Sequence, residues 1–218
     1  MDKTIKKITI LFDLDGTLID STKAILLSFH DTFNHFGDKI PTDSDIKTLI
    51  GHPLDFMFEH LGIDKTNVWD YVDIYKKHYR LRSKPMTKLL PYAKEAIIEA
   101  STFAKLGIVT TKTGRYSKEL LEHMDLMKYF EVLIGREDVT YPKPHPEPIL
   151  KALHKMNSPK EYSWMIGDTC LDIVSAKKAN IQAVAVTCGY GSKNELTKCS
   201  KNLQKNSLKA VNYINKLS

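Results

Sequence analysis

The sequence predicts an α/β fold in which a parallel sheet with intervening helices is interrupted early by a helical insertion. Three observations predict it. Short runs rich in branched residues recur at 8–12, 106–110, 132–134, 163–166 and 183–187, several of them apolar almost throughout, as strands covered on both faces are. Helical periodicity lies between most of these runs, and strand and helix alternate from about residue 90 onward, the pattern of a parallel sheet. Between the first run and the second, from Ser21 to about Pro91, no convincing strand occurs. Some seventy residues there far exceed an ordinary connection of ~4–6.

The run at 8–12 is the first strand. The insertion after it carries two helical stripes, Ile25, Leu26, Phe29, Phe33 and Phe36, then Trp69, Val72, Tyr75 and Tyr79. Hinges are expected near Asp20 and Pro91, giving an α/β core from 1–20 and 91–218 and a helical cap from 21–90. Residues 117–124 place Leu120, Leu121 and Met124 on one side of a helix. Residues 147–156 follow Pro146, a good first-turn residue, and space Ile149, Leu150, Leu153 and Met156 at three to four. Near the end, Ser207 is expected to cap a helix whose apolar face is Leu208, Val211 and Ile214.

The 218 residues suit one core domain with a sizeable insertion, and 42% apolar with 27% charged residues is a globular balance, outside the disordered and collagen-like classes. No uncharged apolar stretch approaches the ~20 residues that span a bilayer. The start, Met-Asp-Lys-Thr-Ile-Lys-Lys, leaves no room for a signal peptide's apolar region. Three cysteines, Cys170, Cys188 and Cys199, form no Cys-x-x-Cys pair, so a reducing cytoplasm is expected and a structural zinc site is not. A net charge of +6 suits an anionic substrate and equally weak nonspecific nucleic-acid binding. The lysines are scattered, densest at 193–209, and no aromatic-and-basic recognition motif stands out, so no nucleic-acid partner is expected.

The chemistry concentrates at strand ends. In Ile10-Leu-Phe-Asp-Leu-Asp-Gly-Thr-Leu-Ile-Asp20 a buried strand closes on Asp13 and Asp15, then Gly16 and Thr17. Residues two apart in extended chain point the same way about 6.6 Å apart. Carboxylates so placed repel unless a cation lies between them, and oxygen ligands suit Mg²⁺. An isolated Asp-x-Asp-Gly can merely start a turn or cap a helix; here it ends an apolar strand, where α/β proteins bind ligands. A second strand ends in Gly167-Asp168, with Asp172 four residues on. Helix capping and dipole pairing are the plain readings of those two, and two acidic strand ends in one sheet favour a shared metal.

Two further strand ends suit an anion. Residues 106–112 finish in Thr110, Thr111 and Lys112; β-propensity alone accounts for such threonines, but their hydroxyls and the following backbone N–H groups also suit a phosphate. In Tyr141-Pro-Lys-Pro-His-Pro, flanking prolines hold Lys143 in a stiff loop as a fixed cation. In the insertion, Ile50-Gly51-His52-Pro53 reads as a loop facing the core, with Gly51 and His52 as candidate substrate contacts. Trp69 and the tyrosines at 71, 75 and 79 read chiefly as helix packing.

Together these elements resemble the haloacid dehalogenase-like superfamily in order and spacing over nearly the whole chain. Asp13-Leu-Asp15-Gly-Thr is similar to its first motif, Thr110 to its second, Lys143 to its third, and Gly167-Asp168 with Asp172 to its fourth. The first segment and Lys-Pro-His-Pro-Glu-Pro resemble the phosphoglycolate phosphatase-like branch, although Leu90-Pro-Tyr-Ala-Lys departs from the Pro-Gly that branch often has there. The resemblance implies a three-layer α/β/α Rossmann-like core with strand order 5-4-1-2-3 and a helical cap between motifs one and two. It further implies a Mg²⁺-dependent phosphatase acting on a small phosphate monoester through an aspartyl-phosphate. Asp13 is then the nucleophile and Asp15 the acid and base; Thr110, Thr111 and Lys143 face the phosphate. Asp13, the main-chain carbonyl of Asp15 and Asp168 hold the metal, with Asp172 orienting it. Phosphomutase and pyrophosphatase readings stay open, with a haloacid dehalogenase or a non-catalytic binding domain further off. A small phosphorylated metabolite is the expected partner, no membrane is, and the chain is expected as monomer or homodimer.

Overall fold

The computed structural model describes residues 8–217. The lysine-bearing start at residues 1–7, read above for targeting, lies outside the described residues. In chain order the elements are β1 (Ile8–Phe12), β2 (Ile19–Asp20), α1 (Thr22–Phe36), α2 (Asp43–Leu49), α3 (Leu54–His60), α4 (Val68–Met86), β3 (Lys88–Leu89), α5 (Ala93–Phe103) and β4 (Ala104–Val109). There follow α6 (Gly114–His123), β5 (Val132–Ile134), α7 (Glu147–Lys155), β6 (Ser163–Gly167), α8 (Cys170–Ala179), β7 (Gln182–Val186), α9 (Lys193–Cys199), β8 (Leu203–Gln204) and α10 (Ser207–Lys216).

Six parallel strands form one sheet in the order β5-β4-β1-β6-β7-β8. Counting only the five strands read from the sequence, this is the expected 5-4-1-2-3, with β8 added beyond the last. Side chains alternate across the sheet. Ile10 and Phe12 of β1 pack on one side with Ile97 of α5, Leu121 of α6 and Val211 of α10. Leu11 packs on the other with Ile149 of α7 and Ala176 of α8. The result is a three-layer α/β/α core whose central strand is covered on both faces, which is why β1 is apolar but for Thr9, whose buried hydroxyl donates to that of Ser158 at 2.7 Å.

Helices α1 to α4 build a separate apolar cluster from Ile25, Phe29, Phe33, Phe58, Tyr71 and Tyr75, among others. The α1 stripe lies inside except at Phe36, which is 39% exposed; the helix stops at Gly37, whose left-handed φ of 75° ends it without steric strain.

Five details differ from the sequence reading. Short strands β2 and β3 pair antiparallel where the insertion leaves and rejoins the core; two residues are too few to show a periodicity. The second core strand starts at Ala104, straight out of α5. Trp69 is 58% exposed, and the inner stripe of α4 starts from Val68. Asn206, not Ser207, caps α10, its side chain accepting from the Lys209 N–H at 3.0 Å; the Ser207 hydroxyl instead donates to the Thr17 carbonyl at 2.6 Å, tying α10 to the loop after β1. Finally, Cys170 and Cys199 form a disulfide between the start of α8 and the end of α9, leaving Cys188 as the free thiol. Sequence spacing gave no sign of it, because 29 residues separate the pair and only helix packing brings them together.

Candidate active site

Every strand-end residue singled out above lies on one edge of the sheet, because parallel strands put all their carboxyl ends together. The Asp13 N–H still bonds to the Ile166 carbonyl at 2.9 Å, so its carboxyl group leaves the sheet beside the end of β6. The chain then turns sharply. Gly16 has φ +81°, and a Cβ there would sit 2.2 Å from Asp168 Oδ2. Only glycine lets the first loop close onto that carboxylate. Gly167 plays the matching part, since a Cβ on it would lie 2.2 Å from Cγ of Asp172.

These close approaches gather three buried carboxylates. Asp13, Asp168 and Asp172 offer oxygens within 4.8 Å of one another, and none of the three residues is more than 4% exposed. One lysine answers them. Lys143 Nζ donates to Asp13 Oδ1 at 2.8 Å, to Asp172 Oδ1, and to the Val109 carbonyl at 3.0 Å. Burial alone would depress Lys143, but the two carboxylates outweigh it and hold it above the ordinary lysine range. Burial, with Asp172 adding to it and Lys143 and a backbone hydrogen bond from Leu14 opposing, pushes the Asp13 carboxyl up to about 7. Burial raises Asp168 strongly too, with Asp13 and Asp172 adding repulsion. Fully ionised, the three carboxylates would outnumber the one ammonium by two charges, and all the donors are hard oxygens. This donor set fits a divalent cation of the Mg²⁺ kind.

The three acids are not equivalent. Both oxygens of Asp172 take protein donors, Oδ1 from Lys143 and Oδ2 from the Thr169 N–H at 3.1 Å and hydroxyl at 2.8 Å. Asp172 is thus both the third residue of the α8 capping box and a brace for Lys143. Asp168 accepts from the Thr17 hydroxyl at 2.9 Å and the Tyr190 N–H at 2.8 Å. The Asp15 side chain is outside this cluster: it accepts from the Ser21 hydroxyl and pairs with Lys112 Nζ at 2.9 Å.

Thr110 is buried, and its oxygen accepts from the Lys112 N–H at 3.1 Å, bending the chain after β4. The Thr111 hydroxyl donates to the Gly51 carbonyl at 2.8 Å, so it faces the inserted helices rather than the carboxylates. A second strut, Arg136 to Asp55 at 3.6 Å, joins the same two parts. Between them lies a cavity of about 220 Å³ bordered by Asp13, Asp15 and Thr110 below and by residues of α1, α3 and α4 above. Gly51 and His52 border it too. Burial, with His60 adding to it, lowers the His52 pKa and favours its neutral ring, which stacks on Phe56 at 4.2 Å.

Sequence reasoning missed several participants. Lys112 lies 4.5 Å from the centre of the Tyr79 ring, and Asp15 holds it well above the ordinary lysine range against its burial. Its signal was adjacency to Thr110 and Thr111 at a strand end. Thr17 sits inside the segment quoted for Asp13 and Asp15 and Ser21 directly after it, whereas nothing local marks Tyr190, Asp55 or Arg136.

A family model described as haloacid dehalogenase-like hydrolase matches residues 10–186. The chain belongs to this family. Among similar hydrolases, pyrophosphatase PpaX of Oceanobacillus iheyensis is 34% identical over 86% of this chain and 87% of its own. Phosphoglycolate phosphatase of Aquifex aeolicus is 34% identical over 83% of this chain and 85% of its own. A haloacid dehalogenase-like family hydrolase from Streptococcus pneumoniae superposes with a TM-score of 0.85 at 28% identity, covering 95% of this chain and 98% of the other. The chain is therefore an enzyme, a hydrolase with phosphatases among its relatives.

Proposed function

We propose that this hydrolase cleaves a small phosphate ester, Mg²⁺-dependently, through an aspartyl-phosphate on Asp13. The observation that carries the proposal is the cluster of Asp13, Asp168 and Asp172 at the floor of the cavity, with Lys143 bonded to two of them. Asp13, Asp168 and the main-chain carbonyl of Asp15 would hold the cation, with Asp172 and Thr17 orienting. When bound, the cation offsets the repulsion between an attacking carboxylate and a phosphoryl group.

In the first step an Asp13 oxygen forms a bond to phosphorus as the bond from phosphorus to the leaving oxygen breaks. Asp15 gives its proton to that oxygen. In the second step Asp15 takes a proton from water, whose oxygen attacks phosphorus and releases Asp13. Ser21 and Lys112 hold Asp15 in place for both transfers. Lys143 and Thr110 face the phosphoryl oxygens as charge builds on them. An acid at position 15 on the cavity floor has no work in a haloacid dehalogenase, which favours phosphoryl chemistry.

Residues 21–90 act in this reading as the cap, with the Thr111–Gly51 and Arg136–Asp55 contacts marking its closed position. The partner is a small phosphorylated metabolite, with neither nucleic acid nor membrane involved, and the enzyme works as monomer or homodimer. No helix among the described residues is long and apolar enough to cross a membrane. We place the enzyme in the cytoplasm, where the Cys170–Cys199 bond would be reversible. Pyrophosphate and 2-phosphoglycolate, named for relatives, are the first substrates to assay. Hydrolysis of 4-nitrophenyl phosphate with Mg²⁺, abolished by EDTA and by Asp13→Asn, is the expected result. Full activity in EDTA or in that variant would refute the proposal.

A further inference from the structure

The cavity wall facing Asp13 is aromatic and aliphatic. Ile25, Met57, Val72, Tyr75, Tyr79 and Tyr116 line it, and all but Tyr116 are buried in the cluster of the inserted helices. Tyr75 stacks on Tyr79 with ring centres 5.6 Å apart, and Tyr116 lies 6.2 Å beyond. Burial raises Tyr75 and Tyr79 above the ordinary phenol range, so both present neutral rings.

Lys112 and Arg136, the cations of the cavity floor and wall, already have acidic partners. Lys112 is paired with Asp15 at 2.9 Å. Arg136 directs its terminal nitrogens to Asp55 at 3.6 Å and the Val139 carbonyl at 3.2 Å, leaving only a buried Nε without a partner. Lys76 is one-third exposed and within 4.0 Å of Asp73. His52 is half-buried, its ring stacked on Phe56, and burial lowers its pKa, which disfavours the charged ring. A second phosphoryl or carboxylate group would break an existing ion pair or rest on one N–H, and buried anions without compensation are strongly disfavoured.

We propose that the leaving group of the preferred substrate is uncharged and carries a ring, so that the enzyme favours such monoesters over pyrophosphate and 2-phosphoglycolate. This rests on the phosphatase reading above and narrows it. The space agrees: a cavity of about 150 Å³ takes one benzene, and the ~220 Å³ here leaves room for a phosphoryl group beside a ring. Trp69, exposed at the cavity border, gives the ring one further flat contact.

Benzyl phosphate tests this fairly against 2-phosphoglycolate, because both release an alkyl alcohol. With Mg²⁺, kcat/KM for benzyl phosphate is expected to exceed that for 2-phosphoglycolate and for pyrophosphate by roughly tenfold or more, the value of burying one ring. Trp69→Ala should lower the ratio of benzyl phosphate to 2-phosphoglycolate about threefold or more, and Val72→Lys should invert it. Calorimetry with the non-hydrolysable benzylphosphonate should show tighter binding than phosphonoacetate, with a negative heat-capacity change. Equal or better turnover of either anionic substrate, with equal binding of the two phosphonates, would overturn the inference and leave the phosphatase reading intact. Failure to cleave any of the three compounds would overturn both.

Discussion

Lys143 Nζ lies 2.8 Å from Asp13 Oδ1, although 130 residues of chain separate them and both side chains are almost wholly buried. The same nitrogen reaches Asp172, so one ammonium compensates two acids of the cluster at once.

Removing it leaves the carboxylates unanswered. For Lys143→Met we expect kcat to fall about 10²-fold or more, as on loss of a donor to developing charge. Stability should fall by about 3–5 kcal/mol, the typical result of breaking a buried ion pair. Steady-state kinetics and urea unfolding in EDTA check both, and saturating Mg²⁺ should restore part of the stability.

The raised Asp13 carboxyl makes the metal-free protein sensitive to pH in a definite direction. Its pKa moves from the ordinary 3.8 to about 7 on folding, burial being the main cause. Below about 3.8 folded and unfolded chains both carry the proton. As pH rises towards 7 the unfolded chain gives it up while the folded site keeps it, so stability falls, and the loss is complete above 7. Asp168 acts in the same direction, while the lowered surface carboxyls Asp64 and Glu147 act oppositely at low pH. Melting temperatures in EDTA across pH 4–8 should therefore fall less steeply for Asp13→Asn than for the natural chain. Mg²⁺ should stabilise the natural chain most above pH 7, where the acids are free to take it.

The core was legible in the sequence because strands buried on both faces leave apolar runs, and because parallel topology forces their acidic ends together. Asp13, Asp168 and Lys143 could be read from those ends and from the proline-flanked loop. The cap face could not be read in the same way. Tyr75 and Tyr79 share one helical stripe whether they fill a core or line a cavity, and only the fold shows Asp15 and Lys112 beneath them. Asp55 and Arg136 meet across 81 residues of sequence, with no local pattern to announce it. The disulfide and the Ser207 hydroxyl bond were hidden for the same reason: each depends on helices packing, which short-range spacing does not encode.

Lys112 is the participant the fold adds to the chemistry. Held against the Tyr79 ring and paired with Asp15, it would, in the proposed mechanism, fix the position from which protons are exchanged. Lys112→Met should lower kcat about 10–100-fold through misplacement of Asp15. KM for phosphate esters should change less. Lys112→Arg should recover part of the loss, and a variant as active as the natural chain would remove Lys112 from this role.

The Cys170–Cys199 bond closes a loop spanning 29 residues beside the acidic cluster. Chain-entropy arguments give such a crosslink about 3–4 kcal/mol of stabilisation. Unreduced protein opened in denaturant should show one titratable thiol, Cys188, and reduced protein three. Melting of the two forms should differ, with the reduced form the less stable.

The central claim is that Asp13 itself becomes phosphorylated. Enzyme quenched in acid during turnover with Mg²⁺ can be digested and its peptides weighed. The peptide containing Asp13 should carry one added phosphoryl group, absent in Asp13→Asn and lost on mild alkaline treatment. Rapid turnover with that peptide unmodified, or with the phosphoryl group on another residue, would contradict the account.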